Sequence, residues 1–316
     1  MFRQNVPLKD YSRYRIGGPA AYFLEISTKE ELLKGLKEWR NISAGFPKEK
    51  QKIYVLGGGT NILISEKGFD GLVIHNLIGG IEKRGEDVIV GSGATLADLL
   101  DFCIANSLSG LEWAGGLPGT IGGAVRGNAG AFGEETKDSV RQVISLNLDT
   151  LEEKTRDKWE CTFAYRYSIF KTEEAKNEII LSIILSLKSS QQSEIRILIQ
   201  EKVDYRKRKH PMDSPSIGST FKNVKVDKIP EQWKKILMSS VKIDPFPVVP
   251  AAKFLVLAGV KGKRIGEAQI AEKHPNFIIN LGNAKSKDVK SLINFAKDEV
   301  QKKFGVVLEE EIIYLQ

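Results

Sequence analysis

Apolar residues recur along this chain with two periods, and the switches between them mark out its elements. Ala21 to Ile26 reads as a strand. Thr28 followed by Glu31 fits a capping box, and Leu32, Leu33 and Leu36 give the next segment one apolar helical face. A buried strand, Ile53 to Leu56, runs through Gly57-Gly58-Gly59-Thr60-Asn61 into a second, Ile62 to Ser65. Strands follow at Gly71 to Ile74 and Asp87 to Val90. Thr95 then caps a helix with a stripe of Leu96, Leu99, Leu100, Cys103 and Ile104, which places Cys103 in a core. From Val140 to Leu187 the pattern is strand-rich, best at Val143 to Leu148 and Ile179 to Leu187. Ser193 to Arg208 reads as a helix with Ile195, Leu198, Ile199 and Val203 inward, bounded by Pro211.

The last third reads as a separate unit. Helical patterns appear at Ile229 to Met238, Ala251 to Leu257 and Ser286 to Phe304, with a strand at Asn276 to Leu281 among them. Ser286 and Asp288 suit the start of the last helix and Gly305 its end. A final strand is expected over Val306 to Leu315, carrying Glu309, Glu310 and Glu311. The mixture predicts an α+β chain of at least two domains, three being favoured, without internal repeats.

Strand, glycine turn, strand at Gly57 to Asn61 is not a Rossmann fingerprint, which needs a helix after its glycines and a different spacing. A denser glycine segment runs from Trp113 to Gly133, where eight of twenty-one residues are glycine and none is acidic. Flexible linkers rarely interleave Trp, Leu, Pro, Ile and Val in this way. Glycine lets backbone N–H groups converge with no side chain in the way, which makes a nest for anions such as phosphate. One ligand carrying a diphosphate between two organic halves would use both loops.

Composition narrows the classes. Of 316 residues, 41% are hydrophobic and 28% charged, as in ordinary globular domains. The longest nearly apolar run, Ile179 to Leu187, has nine residues with two serines and is too short to span a bilayer. Two cysteines make neither a disulfide framework nor a metal quartet. Met1 to Asn5 shows no secretory signal, so a cytoplasmic protein is expected. The net charge of +7 favours acidic partners. Its one dense basic cluster, Arg206-Lys207-Arg208-Lys209-His210, lacks the interleaved aromatics of a nucleic-acid surface, and neither nucleic acid nor membrane is the expected partner.

Each candidate chemical residue also has an ordinary reading. Ser219 sits in a turn-like Gly-Ser loop, Arg166 could stack on Tyr165 or Tyr167, and Glu311, alternating with Ile312, could face solvent. His274 precedes a proline in a loop, and no histidine has metal-ligand spacing to a second ligand.

Together these segments resemble the UDP-N-acetylenolpyruvoylglucosamine reductases over nearly the whole chain. The resemblance runs from Tyr14-Arg15-Ile16-Gly17-Gly18 to Leu308-Glu309-Glu310-Glu311. Its most specific pieces are Gly57 to Asn61, Pro118 to Ala124 with Asn128 to Ala131, Tyr165-Arg166-Tyr167-Ser168, and Gly218-Ser219-Thr220-Phe221-Lys222-Asn223. The glycine loops alone would indicate only a wider flavin-binding superfamily that includes oxidases. The Arg, Ser and Glu segments in this order narrow it.

The resemblance implies an FAD-binding fold of the vanillyl-alcohol-oxidase/PCMH type with a C-terminal substrate domain. The three domains would be 1–74 with 305–316, 75–203, and 204–304. FAD, held non-covalently between the first two, would contact Gly57, Gly58, Gly59, Thr60, Asn61, Gly116, Pro118, Gly119, Thr120, Gly122, Gly123, Asn128, Ala129, Gly130 and Arg206. Asn128 to Gly130 are expected near the flavin ring. The implied reaction takes hydride from NADPH through FAD to UDP-N-acetylglucosamine enolpyruvate, giving UDP-N-acetylmuramate for peptidoglycan synthesis. Arg166 would hold the enolate, Ser219 donate a proton, and Glu311 act as second acid with a raised pKa. Lys209, Asn223, Lys261 and His274 match substrate contacts, and a monomer is expected.

There are departures. His274 stands where some members have glutamine, and only histidine can charge near neutral pH. Thr220 replaces a frequent bulky residue. The stretch between Arg166 and Ile179 is too short for one branch's tyrosine-bearing insertion, so the chain resembles the branch lacking it. The alternative reading is an oxygen-using flavoprotein of the same superfamily, with flavin attached through a histidine such as His75.

Overall fold

The computed structural model describes residues 2–243 and 245–316. They form two compact units, one comprising the chain up to Val6 with Ala20–Gly58 and Asp70–Tyr205, the other Pro7–Pro19, Gly59–Phe69 and Arg206–Gln316.

The first unit is built on two larger sheets, with two short two-stranded ones beside them among the described residues. One sheet orders its strands Arg3–Pro7, Pro19–Ile26, Phe69–Asn76, Ile53–Leu56, and the last two pair in parallel with Leu56 beside His75. Helix α1 (Lys29–Ser43) buries Leu32, Leu36 and Trp39 with Leu24, Ile26, Leu72 and Ile74. Its start is the expected cap, shifted by one residue. Thr28 Oγ1 accepts the Glu31 N–H at 3.1 Å, while the Glu31 carboxylate accepts from Ser27 rather than Thr28, at 2.6 Å.

The second sheet is antiparallel, in the order Glu153–Asp157, Val140–Asn147, Glu178–Ser186, Asp87–Gly91, Ile81–Arg84. Its central strands are apolar on both sides because both sides are covered. Leu146, Leu148, Ile179 and Leu181 join the α1 core, while Val88, Val90, Val143, Ile183 and Leu185 pack with α2 (Leu96–Ala105) and α3 (Ile121–Gly127). Successive residues of Val140–Asn147 face opposite cores, Val143 one and Ile144 and Leu146 the other. At the sheet's edge the buried Arg156 guanidinium makes a two-pronged ion pair with Glu178, at 2.6 and 2.7 Å. Thr95 caps α2 as expected, and Cys103 is core packing, its thiol pushed up to about 12 by burial and the nearby Glu112 charge.

Helix α4 (Gln192–Lys209) corrects one expectation. Ile195 is buried, but Leu198 is 41% exposed. The inward stripe follows i, i+4, i+11 through Ile195, Ile199 and Arg206, so a buried arginine occupies a place where an apolar residue is usual.

The second unit gathers α5 (Glu231–Leu237), α6 (Ala251–Leu257) and α7 (Ser286–Phe304) around Tyr14, Ile16, Phe254, Leu292, Ile293, Ala296, Val300 and Phe304. The early Tyr14 loop belongs here because its hydroxyl donates to the Ile278 carbonyl at 2.8 Å, and Asn280 Nδ2 donates back to the Tyr14 carbonyl at 3.0 Å. Gly18 is required beside it, since a Cβ would lie 2.1 Å from the Glu66 carbonyl oxygen. At its N-terminus α7 is held by Asp288, which accepts the Lys285 N–H, and by Glu66, whose carboxylate accepts both the N–H and the hydroxyl of Ser286. Gly305, at φ 69°, ends it.

The last strand is shorter than its alternation predicts. Only Ile313–Leu315 forms a ladder, parallel to Ile62–Ile64. The preceding residues pair instead with the Gly218–Asn223 loop: Lys222 N–H donates to the Glu309 carbonyl and Glu311 N–H to the Thr220 carbonyl, both at 2.9 Å. Glu311 is therefore not a strand residue.

Candidate functional site

The first unit packs the two glycine loops backbone to backbone. A Cβ on Gly57 would lie 2.7 Å from Thr120 Oγ1, and one on Gly58 would lie 3.0 Å from the Gly119 Cα. Gly116 and Gly119 take φ of 74° and 124°, open to glycine and strained for other residues. This path leaves donors available. Among the described residues of this unit, the N–H groups of Gly58, Gly116, Gly119 and Thr120 find no protein acceptor. Loops that converge with unspent N–H groups fit a diphosphate.

Other glycines of the segment serve packing. Gly122 donates its N–H to the Ser92 carbonyl at 2.9 Å, and Gly123 donates to Thr120 Oγ1, capping α3. Pro118 lies between the two strained glycines. Gly59 belongs to the second unit, where its φ of 60° and a space that would put a Cβ 2.0 Å from the Tyr11 carbonyl both exclude a side chain. Asn61 Nδ2 donates to the Glu311 carbonyl at 3.1 Å.

Gly57→Val should give a folded protein that loses its flavin. The new side chain must displace Thr120, and with it the second loop. Equilibrium dialysis with FAD should show binding weaker by about 100-fold or more, the effect of roughly 3 kcal/mol. Affinity within a few-fold of wild type would mean that the loops do not cradle the cofactor.

Asn128, at φ 42°, closes α3 and is fully buried. Its amide is engaged at both ends, donating to the Ala164 carbonyl at 2.9 Å and accepting from Lys137 N–H at 3.1 Å. Ala129 and Gly130 carry the chain onward, and the Gly130 carbonyl accepts an Arg166 guanidinium N–H at 2.8 Å. The fold thus joins the segment expected near the flavin ring to the arginine expected to hold the enolate. Arg166 also lies over the Tyr165 ring, 4.8 Å from its centroid, so the stacking reading holds as well.

Arg166 occupies the tip of a tight turn in which Ala164 and Tyr167 exchange both backbone hydrogen bonds at 3.0 Å. Its φ is 56°, in the left-handed region, where a residue with a Cβ loses about 1 kcal/mol or more. Such strain persists only where surroundings enforce it, and it concentrates at functional sites. Lys171 supplies part of the enforcement by donating to the Arg166 carbonyl at 2.8 Å.

In the second unit, Ser219 and Glu311 come alongside through the Glu311 N–H to Thr220 carbonyl bond. The neighbours of Glu311 are ion-paired, Glu309 with Lys228 at 2.6 Å and Glu310 with Lys297 at 2.9 Å, and the Tyr314 hydroxyl also donates to Glu310. Lys209 and Lys261 are exposed, Arg206 is buried, and Asn223 accepts the Ala251 N–H at the start of α6. Sequence reading missed Asn276, whose amide holds the residues after Ser219. A loop asparagine between Pro275 and Phe277 carries no signal that it bonds a segment far away in sequence.

His274 packs edge-on to His210, ring centroids 5.2 Å apart, and both pack on Phe277. Burial, with Lys242 adding, pushes His274 down to about 4, and burial beside His274, Arg206 and Lys273 does the same for His210. The expectation that His274 charges near neutral pH is therefore corrected: it is neutral there. The unfolded chain takes up protons from about pH 6.5 downward, while the folded state waits until about 4. Stability is accordingly lost as pH falls through that window. His274→Gln should flatten the decline of Tm between those pH values, leaving the His210 contribution. An unaltered slope would refute the buried neutral ring.

Among the described residues no group of three or more His, Cys, Asp or Glu side chains is placed to hold a metal, and no helix is long and apolar enough to cross a membrane.

Comparison with known proteins finds two family models on this chain. An FAD binding domain model matches residues 34–150, which span both glycine loops, in agreement with the expected α+β FAD-binding fold. The C-terminal domain model of UDP-N-acetylenolpyruvoylglucosamine reductase matches residues 210–315. The reductase of that name from Caldanaerobacter subterraneus subsp. tengcongensis is 36% identical over 98% of this chain and 91% of its own length. The one from Fusobacterium nucleatum is 36% identical over 99% and 98%. A crystal structure of the UDP-N-acetylenolpyruvylglucosamine reductase from Thermus caldophilus superposes with a TM-score of 0.76 at 29% identity, covering all of both chains. The chain belongs to the UDP-N-acetylenolpyruvoylglucosamine reductase family, whose reaction serves peptidoglycan precursor synthesis.

Proposed function

We propose that this chain reduces the enolpyruvyl ether of UDP-N-acetylglucosamine enolpyruvate to UDP-N-acetylmuramate, with NADPH as hydride source and non-covalent FAD as carrier. The observation that carries the reading in the chain's own residues is the strained turn that presents Arg166, tied to Gly130. It is joined by the backbone pairing of the Ser219 loop with Glu311.

Bound at these loops, FAD would supply hydride transfer between NADPH and the methylene carbon of the enolpyruvyl group. The unspent N–H groups of the two glycine loops hold its diphosphate. Arg166 pairs with the substrate carboxylate, and its fixed charge meets the negative charge that grows there as the enolate forms. A preorganised donor of this kind supplies about 3 kcal/mol. Ser219 gives a proton to the carbon next to the carboxylate, and Glu311 restores that proton or steadies the enolate. Lys209, Lys261, Asn223 and His274 take the nucleotide sugar, with His274 as a neutral hydrogen-bonding group.

The three-domain division, 1–74 with 305–316, 75–203, and 204–304, belongs to the same proposal. The working unit proposed is a monomer in the cytoplasm.

The test is spectroscopic. Under exclusion of oxygen, NADPH should bleach the purified yellow protein, and the enolpyruvyl nucleotide sugar should restore the colour. Denaturation should release all the colour, since no attachment through His75 or another side chain is proposed. Failure of the sugar to restore colour would sink the assignment.

A further inference from the structure

We infer that Asn276 is the positioning residue for Ser219, acting through the dipeptide Thr220–Phe221. The inference rests on the reading of Ser219 as proton donor.

On the side that precedes it, Ser219 is joined to a glycine. Gly218 takes φ 84° with open space around it, and Ser219 is itself only partly buried. The next two residues are enclosed: Thr220 and Phe221 are 4% and 2% exposed. Asn276 holds both. Its backbone carbonyl accepts the Thr220 N–H at 2.7 Å. Its side-chain Oδ1 accepts the Phe221 N–H at 2.9 Å, and its Nδ2 donates to the Phe221 carbonyl at 2.8 Å. One amide thus satisfies the donor and the acceptor of a single residue, as a neighbouring strand would, and only one orientation of the amide fits.

The other edge of the same dipeptide carries the acidic segment, where the Thr220 carbonyl accepts from Glu311 N–H and Phe221 bridges Glu310. The serine loop is therefore clamped between a side-chain amide and the chain that bears Glu311. Removing the amide leaves two buried backbone groups of Phe221 without partners, and they relax by shifting. Ser219, joined directly to Thr220 and preceded by a glycine with open space around it, shifts with them. A displacement of about 1 Å at a reacting group is enough for a loss of about 100-fold.

The experiment separates the half-reactions of the flavin-loaded protein. Asn276→Leu keeps the side chain's size and removes both hydrogen bonds. NADPH should bleach this variant at the wild-type rate, while recolouring by the enolpyruvyl nucleotide sugar slows by about 100-fold. In the Ser219→Ala background the same substitution should slow recolouring no further, because the group it positions is gone. Asn276→Asp supplies a rescue. Ionised, its carboxylate faces the Phe221 carbonyl; protonated, it donates to that carbonyl, so recolouring should quicken as pH falls more steeply than it does in wild type. In protein freed of flavin, the Phe221 amide should exchange hydrogen faster in Asn276→Leu than in wild type.

Recolouring at the wild-type rate, or a full further loss in the double variant, would overturn the inference. Equal slowing of both half-reactions, or loss of flavin by both Asn276 variants, would also overturn it by making Asn276 a residue of the fold. If Ser219→Ala itself recolours normally, the failure lies in the reading of Ser219, not in the clamp.

Discussion

Ser219→Ala protein should bleach with NADPH at the wild-type rate and recolour with the enolpyruvyl nucleotide sugar about a thousandfold more slowly, the scale of a lost proton transfer. The asymmetry comes from the chemistry. Bleaching moves hydride from NADPH and needs no proton on a carbon, whereas reduction of the enolpyruvyl group cannot finish until the carbon beside the carboxylate is protonated. Alanine removes the hydroxyl without altering the backbone that Asn276 and Glu311 hold, so the loop should keep its place. A serine hydroxyl is a weak acid in water, and the backbone-paired loop shows how this one can be held at a fixed place near Glu311. Stopped-flow absorbance resolves the two steps. Equal slowing of both would assign Ser219 to binding.

Arg166→Lys should lower kcat by about 100-fold while leaving the rate of bleaching nearly unchanged. Lysine keeps the charge but loses the planar fork, and two uses of that fork are at stake. One guanidinium nitrogen is bound to the Gly130 carbonyl, and the same rigid plane is proposed to meet the substrate carboxylate. An ammonium on a flexible stem cannot hold both places at once. The stabilisation lost is that of a preorganised donor facing developing charge, and it should fall on kcat more than on KM. A lysine variant within a few-fold of wild type would mean that charge alone is required and that the strained turn at φ 56° serves only the fold.

The long periodic segments were legible. α7 and α6 have the bounds their patterns predict, because each buries one complete stripe and begins and ends at unambiguous residues. Alternation misled at Val306 to Leu315, where buried and exposed positions do alternate but most of the partners are loop residues rather than a strand. In α4 the apolar count pointed to Leu198, whereas the helical repeat turns it out and Arg206 in.

The candidate site divides in the same way. Glycine loops announce themselves, since few other roles need so many glycines among apolar residues. Which N–H groups remain unspent does not: Gly122 and Gly119 look alike in sequence, yet one donates to Ser92 and the other is available. Strain at Arg166 and the clamp on Thr220–Phe221 depend on segments far apart in the chain, and no spacing rule encodes them. The pKa of His274 reverses the sequence expectation because burial outweighs the ordinary tendency of histidine to charge.

The central claim is that this protein moves a hydride and a proton onto the enolpyruvyl double bond. The most direct measurement is a single turnover under exclusion of oxygen, with protein first reduced by one equivalent of NADPH and then given one equivalent of UDP-N-acetylglucosamine enolpyruvate. Mass spectrometry should find the sugar heavier by two hydrogens, in an amount matching the flavin that recolours. Unchanged sugar, or recolouring only when oxygen is admitted, would contradict the account.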